Sequence, residues 1–262
     1  MRKYRLAYTI KIDWKLKILL YFILFSLPGS LISQNVNSDE NVNYYQLWLD
    51  LHLSLKANDK LDYFGDGGFR TFFNDRISER IYVRPSIRYH YKENISLMGG
   101  IGFFYSLVHD EPNVLEIRPW QGIRVDWPSF KRIPALARRL DVNHFLRFEQ
   151  QITFSSKEND FNPRARYKLS ANLNLCKECG DRYWYIPTYV EFFFPFQNEV
   201  GGFFTNRNRL GAGIGYVQSR DWRYVFTANR FRSRSSKEED FKISDYVFRI
   251  SIYKRLHKSE AD

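Results

Sequence analysis

Apolar and polar positions alternate along this chain with a period of two. Between Leu47 and Lys56, leucine takes every second place (Leu47, Leu49, Leu51, Leu53, Leu55), with Trp48, Asp50, His52 and Ser54 between. Successive side chains of a strand point to opposite faces, so this spacing predicts a strand with one apolar and one polar face. Ile81–Tyr91 reads the same way, setting Ile81, Val83, Ile87, Tyr89 and Tyr91 against Tyr82, Arg84, Ser86, Arg88 and His90. In Arg164–Asn174 the basic and polar positions are Arg164, Arg166, Lys168, Ser170 and Asn172. Eleven segments of this kind follow one another: Leu47–Lys56, Leu61–Thr71, Ile81–Tyr91, Ile95–Ser106, Val114–Trp127, His144–Phe154, Arg164–Asn174, Tyr183–Phe194, Asn208–Val217, Trp222–Phe231 and Asp245–Lys254. Only the short stretch Pro134–Leu140 has any helical spacing.

The segments run to about ten to twelve residues, roughly twice an average soluble strand and enough for a tilted strand to cross a bilayer. Their connections alternate as well. Short turns (Ala57–Lys60, Lys92–Asn94, Leu175–Arg182, Gln218–Asp221) take turns with longer polar loops (Phe72–Arg80, Leu107–Asn113, Ser155–Pro163, Pro195–Arg207, Arg232–Ser244). Short turns on one rim and long loops on the other describe an outer-membrane barrel, the short turns being periplasmic. Bacterial single-chain barrels have even strand numbers. The expectation is therefore all-β, a single antiparallel transmembrane β-barrel of about 12 strands, with one strand unaccounted for before Tyr44. Aromatic residues near segment ends (Tyr44, Tyr45, Tyr91, Tyr105, Trp127, Trp184, Trp222, Tyr253) suit interfacial girdles.

Composition agrees with strands and sets the compartment. Aromatic residues make up 18% of the chain, and mean hydropathy is −0.48, which excludes a helical membrane protein but not a barrel. The N-terminal stretch differs from the rest. Six basic residues (Arg2, Lys3, Arg5, Lys11, Lys15, Lys17) precede an apolar run from Ile18 to Leu27, then Pro28-Gly29-Ser30 and a small-residue exit at Ser33. That is the layout of an export signal, and the run is too short to be a comfortable membrane anchor. The domains expected are a cleavable signal peptide at 1–33, a polar lead-in at 34–44, a barrel at 45–254 and a polar tail at 255–262. Loss of the leader lowers the net charge from +11 to +6. The remaining basic residues are spread over many strands, so nucleic acid is not an expected partner.

Four motifs stand together: "RPSIRYHY" (Arg84–Tyr91), "VLEIRPWQGIRVDWP" (Val114–Pro128), "HFLRFEQ" (His144–Gln150) and "NRLGAGIGY" (Asn208–Tyr216). In this combination the chain resembles the bacterial family known as domain of unknown function 2490, proteins common in Bacteroidetes and read as outer-membrane barrels. The resemblance spans about Tyr45 to Lys254. It implies a barrel in the outer membrane of a Gram-negative bacterium, surrounded by lipid and delivered by the barrel-assembly machinery. It implies no activity.

The chemistry the sequence offers is a charged lumen. By phase, Arg84, Arg88, Arg118, Arg124, Arg147, Arg164, Arg166, Arg209 and Arg249 fall on the polar face with Glu116, Glu149 and Glu191. A basic lining lowers the barrier for anions and suggests a small pore. The same residues could instead pair across neighbouring strands and fill the barrel. Two other classes stay open. His52-Leu53-Ser54 has the His-x-Ser spacing of outer-membrane lipid hydrolases, although both side chains share the face of Asp50 rather than that of the leucines. A soluble exported barrel binding a hydrophobic ligand would carry the apolar face inward. Cys176 and Cys179 form a C-x-x-C that suits a small disulfide in a turn better than a redox or zinc site. No metal and no cofactor is implied.

Overall fold

The computed structural model describes residues 43–72, 78–108, 112–127, 139–156, 159–176, 179–196, 207–233 and 243–257. Among them run eleven strands: β1 (Asn43–Lys56), β2 (Leu61–Phe72), β3 (Ser78–Lys92), β4 (Ile95–Val108), β5 (Val114–Asp126), β6 (Leu140–Phe154), β7 (Asp160–Asn174), β8 (Tyr183–Pro195), β9 (Arg207–Val217), β10 (Trp222–Ser233) and β11 (Ile243–Leu256). They close into one barrel in which each strand pairs with its sequence neighbours and β1 pairs with β11. The expected twelfth strand is not among the described residues, and the eleven segments legible in the sequence are the eleven strands. With hairpin connections the chain direction alternates, so an odd count leaves the first and last strands pointing the same way. β1 and β11 are accordingly parallel, in unbroken register from Asn43 opposite Ser244 to Leu55 opposite Leu256. Every other pair is antiparallel.

Strand ends reach further than the alternation suggested. Asn43 and Tyr44, expected in the lead-in, begin β1, and Arg255 and Leu256, expected in the tail, end β11. β3 and β7 start at Ser78 and Asp160, so two of the expected long loops shrink to residues 73–77 and 155–159. The connections 196–206 and 234–242 stay long, and they define the loop rim of the barrel. At the opposite, turn rim, Ala57 and Asn58 donate to the Leu61 carbonyl, Gln218 donates to Trp222, and Leu175 donates to Trp184. The expected signal peptide, the lead-in up to residue 42 and most of the Pro134–Leu140 stretch lie outside the described residues.

Burial shows which way the apolar face points. Leu49, Leu51 and Leu53 are exposed on the outside of the barrel, whereas Trp48 and Asp50 are buried within it. The same holds around the circumference: Ile81, Val83, Ile87, Ile101, Phe103, Leu115, Ile123, Leu146, Leu210, Ile214, Phe226, Phe248 and Ile250 all face out and exposed. The buried set is instead dominated by polar and charged side chains. This is the reverse of the inward apolar face expected of a soluble barrel around a hydrophobic ligand. Six of the aromatic residues expected near the rims (Tyr45, Tyr91, Tyr105, Trp127, Trp184, Trp222) do point outward and exposed. Tyr44 and Tyr253 do not: they lie in phase with Gln46 and Ser251, and turn inward, where Tyr44 meets Phe72 and Tyr253 stacks on His52. Position near a strand end suggested a girdle, but the one-residue phase decides the face.

Candidate functional site

The lumen divides into two halves, and the half toward the loop rim is solid. The largest fully buried side chains among the described residues (Arg164, Phe104, Phe231, Gln46, Glu149, Val247, Asp245) belong to it. Its centre is Glu149 on β6, with no exposed surface. One oxygen accepts both Nε and Nη2 of Arg164, at 2.9 and 2.8 Å. The other accepts Nη1 of Arg166, at 2.5 Å, and Nη1 of Arg147, at 3.2 Å. Arg118 stands 3.7 Å away. The surplus of positive charge is met on either side. Arg166 also donates to Glu191, at 2.6 Å, which Arg209 approaches at 3.5 Å. Arg118 also donates to Glu116, which accepts from Gln151 at 3.2 Å and lies 3.7 Å from Arg80. A continuous chain of paired charges thus runs from Arg80 on β3 to Arg209 on β9. Charges withdrawn from water need this degree of pairing, since an unpaired one costs several kcal/mol.

A second cluster closes the seam side. Arg84 grips Asp66 through both ends of its guanidinium, at 2.9 and 2.7 Å. The Tyr82 hydroxyl lies between two carboxylates, 2.6 Å from Asp50 and 3.0 Å from Asp66. Arg249 on β11 donates to Asp50 on β1, tying together the two parallel strands. Gly68, opposite Asp50 in register, makes this possible. A Cβ there would run into the Asp50 carboxylate and the Leu49 carbonyl, and would stand 3.0 Å from the Tyr82 ring. Inward glycines are the spaces that the larger side chains of neighbouring strands fill; the Tyr185 ring lies over Gly215 in the same way.

Guanidiniums and aromatic rings complete the packing. Arg70 lies 3.9 Å from the Trp48 ring and 4.5 Å from the Tyr82 ring. Arg209 sits over Phe231 at 4.5 Å and Phe193 at 4.7 Å, and Arg118 over Phe104 at 4.3 Å. Above them, Trp48 donates to Gln46 at 2.8 Å and Gln46 donates to Asp245 at 2.6 Å.

The half toward the turn rim is different. It encloses a cavity of about 830 Å³, bounded by Arg84, Lys168, Tyr189, Thr227 and Arg249 at its inner end and by turn residues such as Gly180 and Ser219 at its mouth. Near this mouth Arg124 donates to Asp126, at 2.7 Å, and Arg88 stands 3.9 Å from Asp62. His90 bonds the same Asp62, at 2.7 Å. Cys176 and Cys179, in the β7–β8 turn at this rim, are joined in a disulfide with Cα atoms 5.3 Å apart.

The twelve charged positions read from the sequence therefore separate into two groups. Glu116, Arg118, Arg147, Glu149, Arg164, Arg166, Glu191 and Arg209 are brought together in the solid half. Arg84 and Arg249 form the boundary, while Arg88 and Arg124 line the open half. His52 and Ser54 both face the lumen, with His52 stacked 4.2 Å from the Tyr253 ring. Ser54 also borders an outward hollow lined by Leu51, Leu53, Leu55 and Tyr63, whereas His52 does not line it. Sequence reasoning placed Trp48 and Tyr82 on the polar face but passed over the inward aromatics Phe104, Phe193 and Phe231 and the tyrosines Tyr185 and Tyr189. Phase was a signal for Phe193 and Tyr189, each two positions from Glu191, whereas Phe104, Phe231 and Tyr185 have no charged residue two positions away.

A family model described as a protein of unknown function (DUF2490) matches residues 45–242. No curated protein and no solved structure matches the chain.

Proposed function

The chain belongs to the DUF2490 family, and we propose that it is an outer-membrane β-barrel closed by its own side chains rather than an open pore. The observation that carries the membrane reading is the apolar outer surface. Leu49, Leu51, Val83, Ile101, Phe103, Leu115, Leu146, Phe192, Ile214, Phe226 and Ile250 are exposed on the outside of a barrel whose interior is charged. Water-soluble monomers rarely expose apolar surface on this scale, whereas a barrel in lipid requires it. The outward aromatics at both ends of the belt fit the two interfaces. With the turn rim periplasmic, the solid half lies on the outer side of the membrane. The lipid of the outer membrane is then the main partner, and the barrel-assembly machinery a transient one. An eleven-stranded lumen lies between small barrels filled by side chains and the wide channels of porins. The Glu149 network and the Trp48–Phe231 packing favour the filled condition.

Cell fractionation followed by alkaline extraction tests the location. The mature chain stays with the outer membrane, resists extraction, and runs as a compact band on gels until heated. Release with the periplasmic contents removes the membrane reading. Planar-bilayer recording tests closure: the inserted chain gives no stable openings.

A further inference from the structure

We propose that the turn-rim half of the lumen is a blind-ended binding cup for a small organic anion, a carboxylate or a phosphate carried on a flat or apolar body. The cup rests on the closed-barrel reading, because the solid half gives it a floor. Its volume, about 830 Å³, lies in the range of small-molecule sites. Basic side chains outnumber acidic ones nine to three on its wall. Carboxylates answer most of them: Arg84 pairs with Asp66, Arg249 with Asp50, Arg124 with Asp126 and Lys254 with Asp221. Arg255 is exposed at the rim, but Lys168 and Arg223 are different. Among the described residues neither has a carboxylate within 4 Å or a hydrogen-bond partner.

Lys168 is at the inner end, with the Tyr189 ring 4.1 Å from its ammonium. Glu191 stands opposite in register, but its oxygens are held by Arg166 and Arg209. Arg223 stacks 4.1 Å over the Tyr253 ring, and its buried Nε donates to nothing. Beside that ring, the His52 Nε2 is also buried without a partner. Two unanswered cations and an idle imidazole around one cavity are the donors an anionic group recruits, through short charge-assisted bonds. An inorganic ion would use the charges and ignore the walls. Those walls are aromatic: Phe64, Phe145, Tyr183, Tyr185, Tyr189 and Tyr253. Aromatic faces of this kind hold a flat or apolar body.

Isothermal titration of the folded chain in detergent, with phenyl phosphate, benzoate, orthophosphate and the neutral phenyl glucoside, tests the cup. Folding of every variant is checked by its unheated gel mobility. Saturable binding of phenyl phosphate or benzoate is expected, and which of the two binds tells the phosphate arm from the carboxylate arm. Orthophosphate and the glucoside bind more weakly. Lys168→Met and Arg223→Gln each weaken the bound anion roughly tenfold, about 1.4 kcal/mol. No saturable binding at millimolar anion, equal binding of the glucoside, or binding that both variants leave unchanged overturns the proposal. A chain that binds the anion but fractionates with soluble protein would cost the membrane reading and leave the cup standing. A chain that sits in the membrane and binds none would do the reverse.

Discussion

Glu149 and Arg164 stand directly opposite one another on β6 and β7, and two nitrogens of the arginine donate to a single oxygen of the glutamate. Both side chains are buried. The pair is one link in a lumen where four guanidiniums converge on that carboxylate. Its role is to let a barrel interior be both charged and dry.

Removing the carboxylate leaves those guanidiniums buried against each other. Breaking a buried pair by deleting one partner costs about 3–5 kcal/mol. Glu149→Ala is expected to lose that much in urea unfolding in detergent, read as loss of the compact band. Glu149→Gln, which keeps the shape and two acceptor lone pairs, falls between the variant and the parent. A loss below about 1 kcal/mol for Glu149→Ala would mean the guanidiniums are hydrated and the half is not solid.

The parallel seam makes a geometric prediction. Leu51 and Ile252 are register partners on β1 and β11, and adjacent strands lie about 4.8 Å apart. A disulfide needs Cα atoms within roughly 4.4–6.8 Å. The double substitution Leu51→Cys with Ile252→Cys is therefore expected to cross-link on mild oxidation, giving a closed loop with altered mobility on heated gels. A twelfth strand between them would double the separation and forbid the bond.

How far the fold was legible follows from this seam. The alternation at Leu47–Lys56 and Ile81–Tyr91 fixes the faces of β1 and β3 residue by residue, because one slip moves a whole set to the other side. The same alternation yields eleven strands. The even-number rule pointed to twelve, but strand parity constrains only whether the closing pair is parallel. Pairing partners were less legible. That Arg147 and Glu149 alternate on one strand shows a polar face, but not that Arg164 and Arg166 of β7 share Glu149 with them. That sharing depends on the β6–β7 register. Nor does any sequence pattern show that the lumen is filled at one end and hollow at the other. Trp48, Phe104, Phe193 and Phe231 pack into the one, while Phe64, Phe145 and Tyr183 stand with Ser170, Asn172 and Gly180 around the hollow of the other.

The outer belt predicts a substitution whose sign depends on the surroundings. Val83 lies midway along β3 and is exposed. In lipid, an arginine near the midplane of a barrel costs about 2–4 kcal/mol. Val83→Arg is expected to lower the yield of inserted, heat-modifiable barrel and its stability in bilayers by this order. In water the same change would replace an exposed apolar side chain with a charged one and improve solubility. Refolding yields of parent and variant in lipid vesicles decide between the two, and an unchanged or higher yield for the variant counts against the belt.

The filled half predicts where a pore would have to be cut. Trp48, Phe231 and Val247 form one buried cluster, with the two rings 5.3 Å apart at their centroids. Arg209 lies over both rings, at 5.6 and 4.5 Å. Truncating Trp48 and Phe231 together to alanine removes two of the largest side chains in that cross-section. The guanidiniums around them remain, since Arg209 still has Glu191 and Arg249 still has Asp50. A gap opened there is lined by cations, and such a lining favours anions. The double variant is expected to show stepwise openings in planar bilayers, with a reversal potential in a salt gradient on the anion side, where the parent is silent. If the folded variant is silent too, the seal lies deeper, in the charges around Glu149. If the parent itself conducts, the aromatic cluster is not a plug, and the lumen is a pore narrowed rather than closed.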